Sequence, residues 1–545
     1  MKKILLFCVL AICYTAAFSQ FKTIAEGPVF EEPEEGMARI LQLKNGNTMF
    51  VMISGNRGID LRIYDAKHKP KTAKHLTPKF GKLKNPSIEA IFELNGNAVF
   101  LIGEWESKTP VLHRLIVDGT TGAMKKDEKI AELIHMDVKN RFATGSGVPM
   151  PGFYVKKDPF TDNYAVVLFN TLVSDRNQRI EVILYGPEHQ ELSRAFYKSP
   201  EDKYKYMEYI DMAIVDAKTV HILANAYNTP SSGGKENVLL LGTLEKGAGA
   251  VNMYELDFAH DKEIDKGVLK YNPVTKKLIM MAYVAESDKR NAKKFTTLAL
   301  IDPVQKKVDK VSTVYPDKAN EKSQELFGKR NKYEGKPQNF YVNPDGTFSV
   351  IYEEEEKVDV TFAAGGPNAT GYGTTSRPAG AQYTELNHVA VSTFDEKGKE
   401  INSYFVPKKH FLFSYAPRAF YHAEQDGTAA KLSKGDQFKS FAFVNGKDKI
   451  YVLFNDVEEN EKRVLKGKIT TIKGVSECDG FYYTLEGSNV LPSREFLFGK
   501  PDRGRDHNLV LFAVSDYDRE KNVYVTLKLN IDGRQKGVQL VWMEP

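Results

Sequence analysis

The sequence predicts an all-β protein made of consecutive four-stranded antiparallel units. The clearest unit contains the turn Asn343-Pro344-Asp345-Gly346, followed by the β-branched and aromatic run Thr347 to Tyr352. Pro and Gly supply the backbone angles that such a turn requires, and the run after it has strand character. The same pairing of a turn with a strand recurs along the chain. One such unit cannot bury both of its faces, so the units must pack against each other.

The turn that precedes a strand occurs eight times, and this count predicts the number of units. A later strand, which often ends in an acidic turn, recurs with it and supports the count. The eight turns lie at Asn45-Gly46-Asn47, Asn95-Gly96-Asn97, 158–163, 216–218, Asn272-Pro273, 343–346, 445–448 and 515–521. The acidic turns follow strands at 61–65, 115–118, 299–302 and 389–395.

Four-stranded units repeated in this way resemble the blades of a secreted β-propeller. The resemblance is to the architecture of these repeat proteins and to no named family, because the sequence has no WD series and no kelch glycine pair. No catalytic residues can therefore be assigned by resemblance. We expect eight four-stranded blades, with seven as the alternative.

The two ends of the chain fit a closed ring. The last unit supplies three clear strands, Leu509 to Val514, Asn522 to Leu529 and Gly537 to Met543. The segment Phe21 to Phe30 precedes the first complete unit and can supply the missing fourth strand. Such pairing would remove the exposed strand edges of the array.

The N-terminus has the pattern of a secretory signal peptide. Lys2 and Lys3 are followed by the apolar run Ile4 to Ile12 and by Ala17-Phe18-Ser19, as in a cleavable leader. We expect residues 1–19 to be the signal peptide and residues 20–545 to form one propeller domain. The predicted location is the periplasm or the extracellular space, and lipidation at Cys13 is the alternative.

Composition limits the classes of partner. The 76 basic and 71 acidic residues give a formal net charge of +5, which offers no support for nucleic-acid binding. No run after the leader is apolar enough for a transmembrane segment. Cys478 is the single cysteine after the leader, so no internal disulfide is expected. The sequence does not indicate an oligomeric state.

The connections between the second and third strands are long and diverse, and the chain between blades lies on the same face. Two examples are the connection Gly103 to Pro110 and a predicted flexible insertion at about 353–387. Function tends to reside on loops that a rigid scaffold holds, so we expect binding on this loop-rich face. Short helical turns are expected at 199–208 and 319–333. The candidate binding residues are Trp105, Arg176, Tyr372, Asn455 and Asp456.

Alternatives remain open for several of these residues. Trp105 can instead pack against a neighbouring blade, and the arginines 57, 176, 290 and 377 can converge on an anion or be separately solvated. Asp516, Asp518 and Asn522 are candidate calcium ligands because hard cations prefer oxygen donors. A polar turn without metal explains the same residues, and no other cofactor is expected.

The predicted function is a binding scaffold of the bacterial cell envelope that holds a protein or a glycan. The alternative is a propeller enzyme, a glycoside hydrolase or lyase, that acts at the central channel. Common enzyme motifs such as a nucleophile elbow are absent from the sequence. Two carboxylates brought together by the fold would reveal such an enzyme, and sequence alone does not identify them.

Overall fold

The protein is an eight-bladed β-propeller in which each blade is one antiparallel sheet. The computed structural model describes residues 21–545 except 56, 82, 84–85, 199–202, 230–236, 259–261, 287–293, 361–380, 414–416, 476–477, 488, 503–505 and 533–534. The predicted fold class and the blade count of eight are therefore confirmed, and the alternative of seven blades is excluded.

The first half of the chain forms the closing strand and blades 1–4. The closing strand is β1 (Lys22–Glu26), and blade 1 contains β2 (Gly36–Gln42), β3 (Thr48–Ser54), β4 (Gly58–Tyr64) and β5 (Pro70–Leu76). Blade 2 contains β6 (Ser87–Leu94), β7 (Asn97–Glu106), β8 (Thr109–Asp118) and β9 (Met124–Glu132). Blade 3 contains β10 (Gly152–Lys157), β11 (Tyr164–Phe169), β12 (Ile180–Tyr185) and β13 (Glu191–Phe196), and blade 4 contains β14 (Tyr206–Val215), β15 (Thr219–Tyr227), β16 (Val238–Glu245) and β17 (Asn252–Leu256).

The second half forms blades 5–8. Blade 5 contains β18 (Lys262–Asn272), β19 (Lys277–Glu286), β20 (Lys294–Asp302) and β21 (Lys307–Val314), and blade 6 contains β22 (Lys336–Val342), β23 (Phe348–Val360), β24 (Ala381–Phe394), β25 (Glu400–Val406) and β26 (His410–Leu412). The next strand, β27 (Ala430–Leu432), joins blade 1. Blade 7 contains β28 (Ala442–Asn445), β29 (Ile450–Asp456), β30 (Asp479–Leu485) and β31 (Ser493–Phe496), and blade 8 contains β32 (Asp506–Val510), β33 (Asp516–Asp518), β34 (Val523–Asp532) and β35 (Gln535–Glu544). Among the described residues, the α-helices are α1 (Val138–Gly145), α2 (Asp317–Phe327), α3 (Tyr421–Gln425) and α4 (Asn460–Val464), and 3-10 turns lie at Arg176–Gln178 and Phe512–Val514.

The turns found in the sequence join the first and second strands of the blades. Three of them carry an asparagine whose side-chain amide donates to a backbone carbonyl of the next blade. Asn47 Nδ2 lies 2.8 Å from the Gly119 oxygen, and Asn272 Nδ2 lies 2.8 Å from the Gly346 oxygen. Asn163 makes the corresponding bond to Ala217 at 2.9 Å. These turns therefore connect neighbouring blades as well as successive strands.

The hydrophobic core lies between the blades. All six residues of β11 are buried, and so are all seven of β30. A strand that is covered on both faces has a continuous run of apolar residues in its sequence. The buried clusters accordingly combine residues of adjacent blades, such as Val167 of blade 3 with Ile222 of blade 4.

The N-terminal strand closes the ring, as the sequence predicts. β1 pairs antiparallel with β35, with Lys22 opposite Glu544 and Glu26 opposite Val541. The ring of Phe21 lies 4.9 Å from those of both Tyr451 and Tyr482. Blade 8 is thus assembled from both ends of the chain, and the Phe21 side chain reaches blade 7.

Some predicted connections have more regular structure than expected. In place of a loop at 103–110, β7 and β8 continue to a tight turn at Ser107 and Lys108, which both have positive φ. The arms of the predicted insertion are paired strands, because β23 extends to Val360 and β24 begins at Ala381. Residues 361–380 lie outside the described residues. The prediction at 319–333 corresponds to α2, whereas at 199–208 the described part leads into β14.

A segment between blades 6 and 7 crosses the central channel, and we call residues 417–438 the channel segment. Its strand β27 adds to the inner edge of blade 1. The Ile91 nitrogen of blade 2 donates to the Gly427 oxygen at 2.5 Å. On the other side, Asp426 accepts from Asn339 of blade 6 at 2.8 Å and lies 3.6 Å from the Lys270 ammonium of blade 5. The segment therefore ties together inner strands from opposite sides of the ring.

In the described part of the chain, no helix has the length and apolar character needed to cross a bilayer.

Ring closure predicts a large stability effect at Phe21. Phe21→Ala should lower the free energy of unfolding by about 3–5 kcal/mol, because a buried aromatic contact between blades 7 and 8 is lost. Ile24→Ala on the adjacent strand β1 is the control, since Ile24 is 43% exposed, and it should cost under about 1 kcal/mol. Urea unfolding of both variants measures the difference. Equal losses would show that the Phe21 contact does not hold the ring closed.

Candidate functional site

The loop-rich face carries an exposed apolar region across blades 2 and 3, which we call the blade 2–3 surface. It comprises four large side chains with high exposed fractions: Trp105 at 47%, Val138 at 76%, Phe142 at 77% and Met150 at 57%. Val138 and Phe142 are four residues apart on α1, so they share one face of the helix. None of the eight residues of α1 is buried.

Specific contacts hold α1 between two blades. Before the helix, the Met136 nitrogen donates to the Lys108 oxygen at the tip of the β7–β8 hairpin at 2.9 Å. Asp137 caps the helix by accepting from the Asn140 nitrogen at 2.7 Å. After the helix, the Thr171 hydroxyl of blade 3 donates to the Pro149 oxygen at 2.6 Å. The hairpin, the helix and the blade 3 connection therefore form one continuous surface.

A cavity of about 210 Å³ lies between blades 6 and 7, and we call it the blade 6–7 cavity. Part of its wall comes from α4 and the residues after it in the long connection of blade 7. Six of the twelve side chains that line it are apolar and six are polar. The apolar lining consists of Pro407, Val464, Leu465, Ile469, Leu491 and Pro492, and the polar lining of Asp456, Asn460, Glu461, Tyr483, Ser493 and Arg494.

The floor of this cavity is built around a buried ion pair. Arg494 Nη2 lies 3.0 Å from Asp456 Oδ2, and the two side chains are 5% and 4% exposed. Asn460 Nδ2 donates to the other carboxylate oxygen of Asp456 at 2.6 Å, and the Arg494 guanidinium lies 3.7 Å from the Phe481 ring centroid. Burial raises the pKa of Asp456 to about 6, and the attraction of Arg494 opposes this rise.

The inner strands of blades 2–4 bring two carboxyl groups close to Tyr154. The Tyr154 and Tyr209 rings are stacked with centroids 3.7 Å apart. Burial raises the pKa of Tyr154 to about 12, and the nearby charges of Glu208 and Glu89 add to the rise. Burial also raises the pKa of both Glu89 and Glu208. Aromatic and carboxyl groups thus meet beside the channel, on the side opposite blades 6 and 7.

Blade 6 contains a run of acidic residues, 353–356, that the sequence suggests to be a solvated edge. The structure buries part of it instead. Lys408 Nζ lies 2.6 Å from Glu353 Oε1, with both side chains buried, and Lys336 Nζ lies 2.5 Å from Glu355 Oε2. Burial raises the pKa of Glu354 and of Glu355 to about 7.

The candidate binding residues fall into separate places. Trp105 is exposed on the blade 2–3 surface, and Arg176 is half-buried on the adjacent connection of blade 3. Tyr372 lies outside the described residues, as do Arg290 and Arg377. Asn455 is buried and bonds to backbone groups of Phe438 and Val510 at 2.6 and 2.8 Å, so it joins blade 7 to the channel segment and to blade 8. Asp456 lines the blade 6–7 cavity.

The candidate calcium ligands contact neighbouring protein groups. Asp516 Oδ2 accepts from the Gln42 nitrogen at 3.0 Å, Asp518 pairs with Lys521 at 2.7 Å, and Asn522 Oδ1 accepts from the Tyr517 hydroxyl at 2.8 Å. Within the described ranges, no group of three or more His, Cys, Asp or Glu side chains could hold a metal ion. Sequence reasoning missed Arg494, which has no local motif.

Comparisons with known proteins give no family for this chain. No protein-family model matches, and no curated protein has a similar sequence. Among solved structures, the Dos1 propeller matches with a TM-score of 0.44 and 9% identity over 96% of this chain and 94% of that one. Prolyl oligopeptidase B from Galerina marginata matches with a TM-score of 0.41 and 6% identity over 91% and 55%. A polysaccharide lyase described as an ulvan lyase matches with a TM-score of 0.37 and 8% identity over 72% and 88%.

The raised pKa of Glu354 predicts a pH dependence of stability. Its pKa is about 7 in the folded protein against an ordinary value of 4.5, so its stabilising contribution is full below pH 4.5 and is lost as pH rises through about 7. Glu354→Gln mimics the protonated form. The variant should match the wild type at the acidic end and be more stable near about pH 8, by up to about 3 kcal/mol.

Denaturant unfolding at several pH values measures this effect. Glu396→Gln is the control, because Glu396 is exposed in the turn between β24 and β25 and its replacement should not change the pH profile. A wild-type profile that Glu354→Gln leaves unaltered would contradict the assignment.

Proposed function

We propose that the protein is a secreted scaffold of the bacterial cell envelope that binds a partner protein on its loop-rich face. The observation that carries the proposal is α1, which has eight residues and none of them buried. Such short helices are marginal in water and depend on packing for stability. Its exposed Val138 and Phe142, beside Trp105, supply the kind of apolar surface that marks a protein interaction site.

Charge at the blade 2–3 surface indicates the chemistry of the partner. Lys108, Lys139 and Arg141 are exposed around the apolar side chains. None of these three forms an ion pair with a carboxylate among the residues that the structure describes. A partner surface with apolar side chains framed by Asp and Glu would therefore be complementary, and opposite charges would steer the two proteins together.

A protein suits this surface better than a glycan does. Trp is enriched in the energetic centres of protein interfaces, and here it accompanies three other large apolar side chains. A glycan would require several hydrogen-bonding groups beside the aromatic ring. Across the apolar centre, Val138, Phe142 and Met150 offer only backbone groups for that purpose.

Site-specific crosslinking tests the proposal. A photoreactive side chain at position 139 should crosslink a specific protein in native envelopes. In the same background, Phe142→Asp should reduce the crosslink by about tenfold or more, because a charge would replace an apolar anchor. Trp105→Ala should act in the same direction. The yield should also fall with salt, as expected for exposed complementary charges.

Val304→Asp is the matched control. Val304 is 84% exposed and lies in the turn between the last two strands of blade 5, away from the blade 2–3 surface. The control should leave the crosslink unchanged. A crosslink that survives Phe142→Asp and Trp105→Ala, or that the control abolishes equally, would contradict binding at this surface.

One observation favours an enzyme as the second candidate. Glu89 and Glu208 have raised pKa values and both lie close to Tyr154 beside the channel. A carboxyl group whose pKa is raised can act as a general acid, and glycoside hydrolysis pairs one such acid with a second, ionised carboxylate.

A polysaccharide hydrolysis and elimination screen tests this candidate. If the wild type cleaves a substrate, Glu89→Gln and Glu208→Gln should each lower the rate by about 10²–10⁴-fold, as expected for the loss of an acid or base. Glu325→Gln is the control, because Glu325 is exposed on α2. Activity that both channel variants retain would place the chemistry elsewhere and remove this candidate.

A further inference from the structure

The blade 6–7 cavity has the composition of a small-ligand site. Its volume of about 210 Å³ lies below the roughly 300–1,000 Å³ of pockets for drug-sized ligands, so it suits a single ring. Its lining consists of four aliphatic side chains, two prolines and six polar side chains, of which Asp456 and Arg494 are almost fully buried. A mostly apolar pocket with a few placed polar groups is the usual design of such sites.

The floor keeps hydrogen-bonding capacity that the protein does not use. Arg494 is 95% buried at its side chain, and its Nε is buried with no hydrogen-bond acceptor among the described residues. The Tyr483 hydroxyl lies near Asp456 and Glu461, whose charges help to raise its pKa. The Asp456 carboxylate accepts one side-chain bond on each oxygen, although a carboxylate offers about four acceptor positions.

We propose that the blade 6–7 cavity binds one uncharged sugar ring, whose hydroxyls bond to Asp456, Tyr483 and Arg494 while its C–H faces pack against the aliphatic wall. A hydroxyl is both donor and acceptor. One such group can therefore accept from an arginine N–H and donate to a carboxylate. This site is separate from the blade 2–3 surface and does not depend on the proposed protein partner.

Charge at the cavity favours an uncharged ligand. The positive charge of Arg494 is already balanced by Asp456 at 3.0 Å. An anion would compete with Asp456 for that arginine and would meet Glu461 at the rim. A cation would find one carboxylate engaged by Arg494 and the other, Glu461, exposed to water, where charge attraction is weak.

The cavity is assembled by parts of the fold that are fixed independently. Tyr483 and Arg494 are paired residues on adjacent strands β30 and β31. Asn460 holds the connection after α4 by accepting from the Thr470 nitrogen at 2.7 Å and donating to the Thr470 oxygen at 3.2 Å. A ligand would therefore enter a site whose floor and wall are already ordered, which lowers the cost of binding.

Saturation-transfer NMR of the full chain tests the proposal. The probes are the neutral sugars glucose, galactose, fucose and N-acetylglucosamine, with galacturonate and glucosamine as charged counterparts. At least one neutral sugar should receive saturation. Tyr483→Phe should weaken its binding by about tenfold, because one hydrogen bond to the ring is lost.

Two further variants separate loss of the site from loss of the fold. Leu465 is 71% exposed at the rim, so Leu465→Trp should abolish binding by filling the entrance without disturbing the core. Val304→Trp places the same side chain at a position that is 84% exposed and far from the cavity, and it should bind as the wild type does. The proposal is overturned if no neutral sugar receives saturation, if the charged sugars are preferred, or if binding persists in Leu465→Trp.

Discussion

The structure depends on one strand pairing that joins the two ends of the chain. A propeller blade is covered only when a neighbour lies on each side, so an unclosed array would leave two sheets with one bare apolar face each. β1 prevents this by adding to β35 as the outer strand of blade 8. Phe21, directly before β1, then inserts among Tyr451 and Tyr482 of blade 7. β1 therefore completes the sheet of blade 8, and Phe21 covers a face of blade 7. With this contact in place, every blade packs against a neighbour on each side.

Ring closure also creates a central channel, which one segment of the chain crosses. The inner strands of eight blades surround a channel, and their first strands present backbone edges towards it. The channel segment uses one of these edges, because β27 pairs with β2, and it uses polar side chains elsewhere. Asp426, for example, is bonded to Asn339 and lies near Lys270. A segment inserted between blades 6 and 7 thereby connects blades that are far from it in sequence.

The sequence predicted best those features that depend on residues close together in the chain. The turns before second strands, such as Asn45-Gly46-Asn47, predicted the blade count because turn chemistry is fixed by adjacent residues. Closure of the ring by residues 21–30 was predicted because the last unit has three clear strands and lacks a fourth. The channel segment was not predicted, since its three-residue strand carries no periodic pattern and its partners are hundreds of residues away. Asn455 and Asp456 were predicted to be binding residues, but their surroundings needed coordinates: Asn455 is a buried structural bridge, and Asp456 lines a cavity with Arg494, which no spacing rule connects to it.

The distribution of charge explains why binding should occur on connections. The middle strands of the blades, such as β11 and β30, are buried between blades, so an ionisable group that is buried there needs a partner, as Glu353 of β23 and Lys408 provide for each other. Breaking such a buried pair is costly, and this restricts what the strands can present to a ligand. The connections are free of that restriction. Large apolar side chains such as Val138 and Phe142 are exposed on these connections, and the connection that contains α4 folds back over blade 7 to form a cavity that Asp456 and Arg494 line. The burial that holds the blades together therefore leaves the connections as the place where we propose binding.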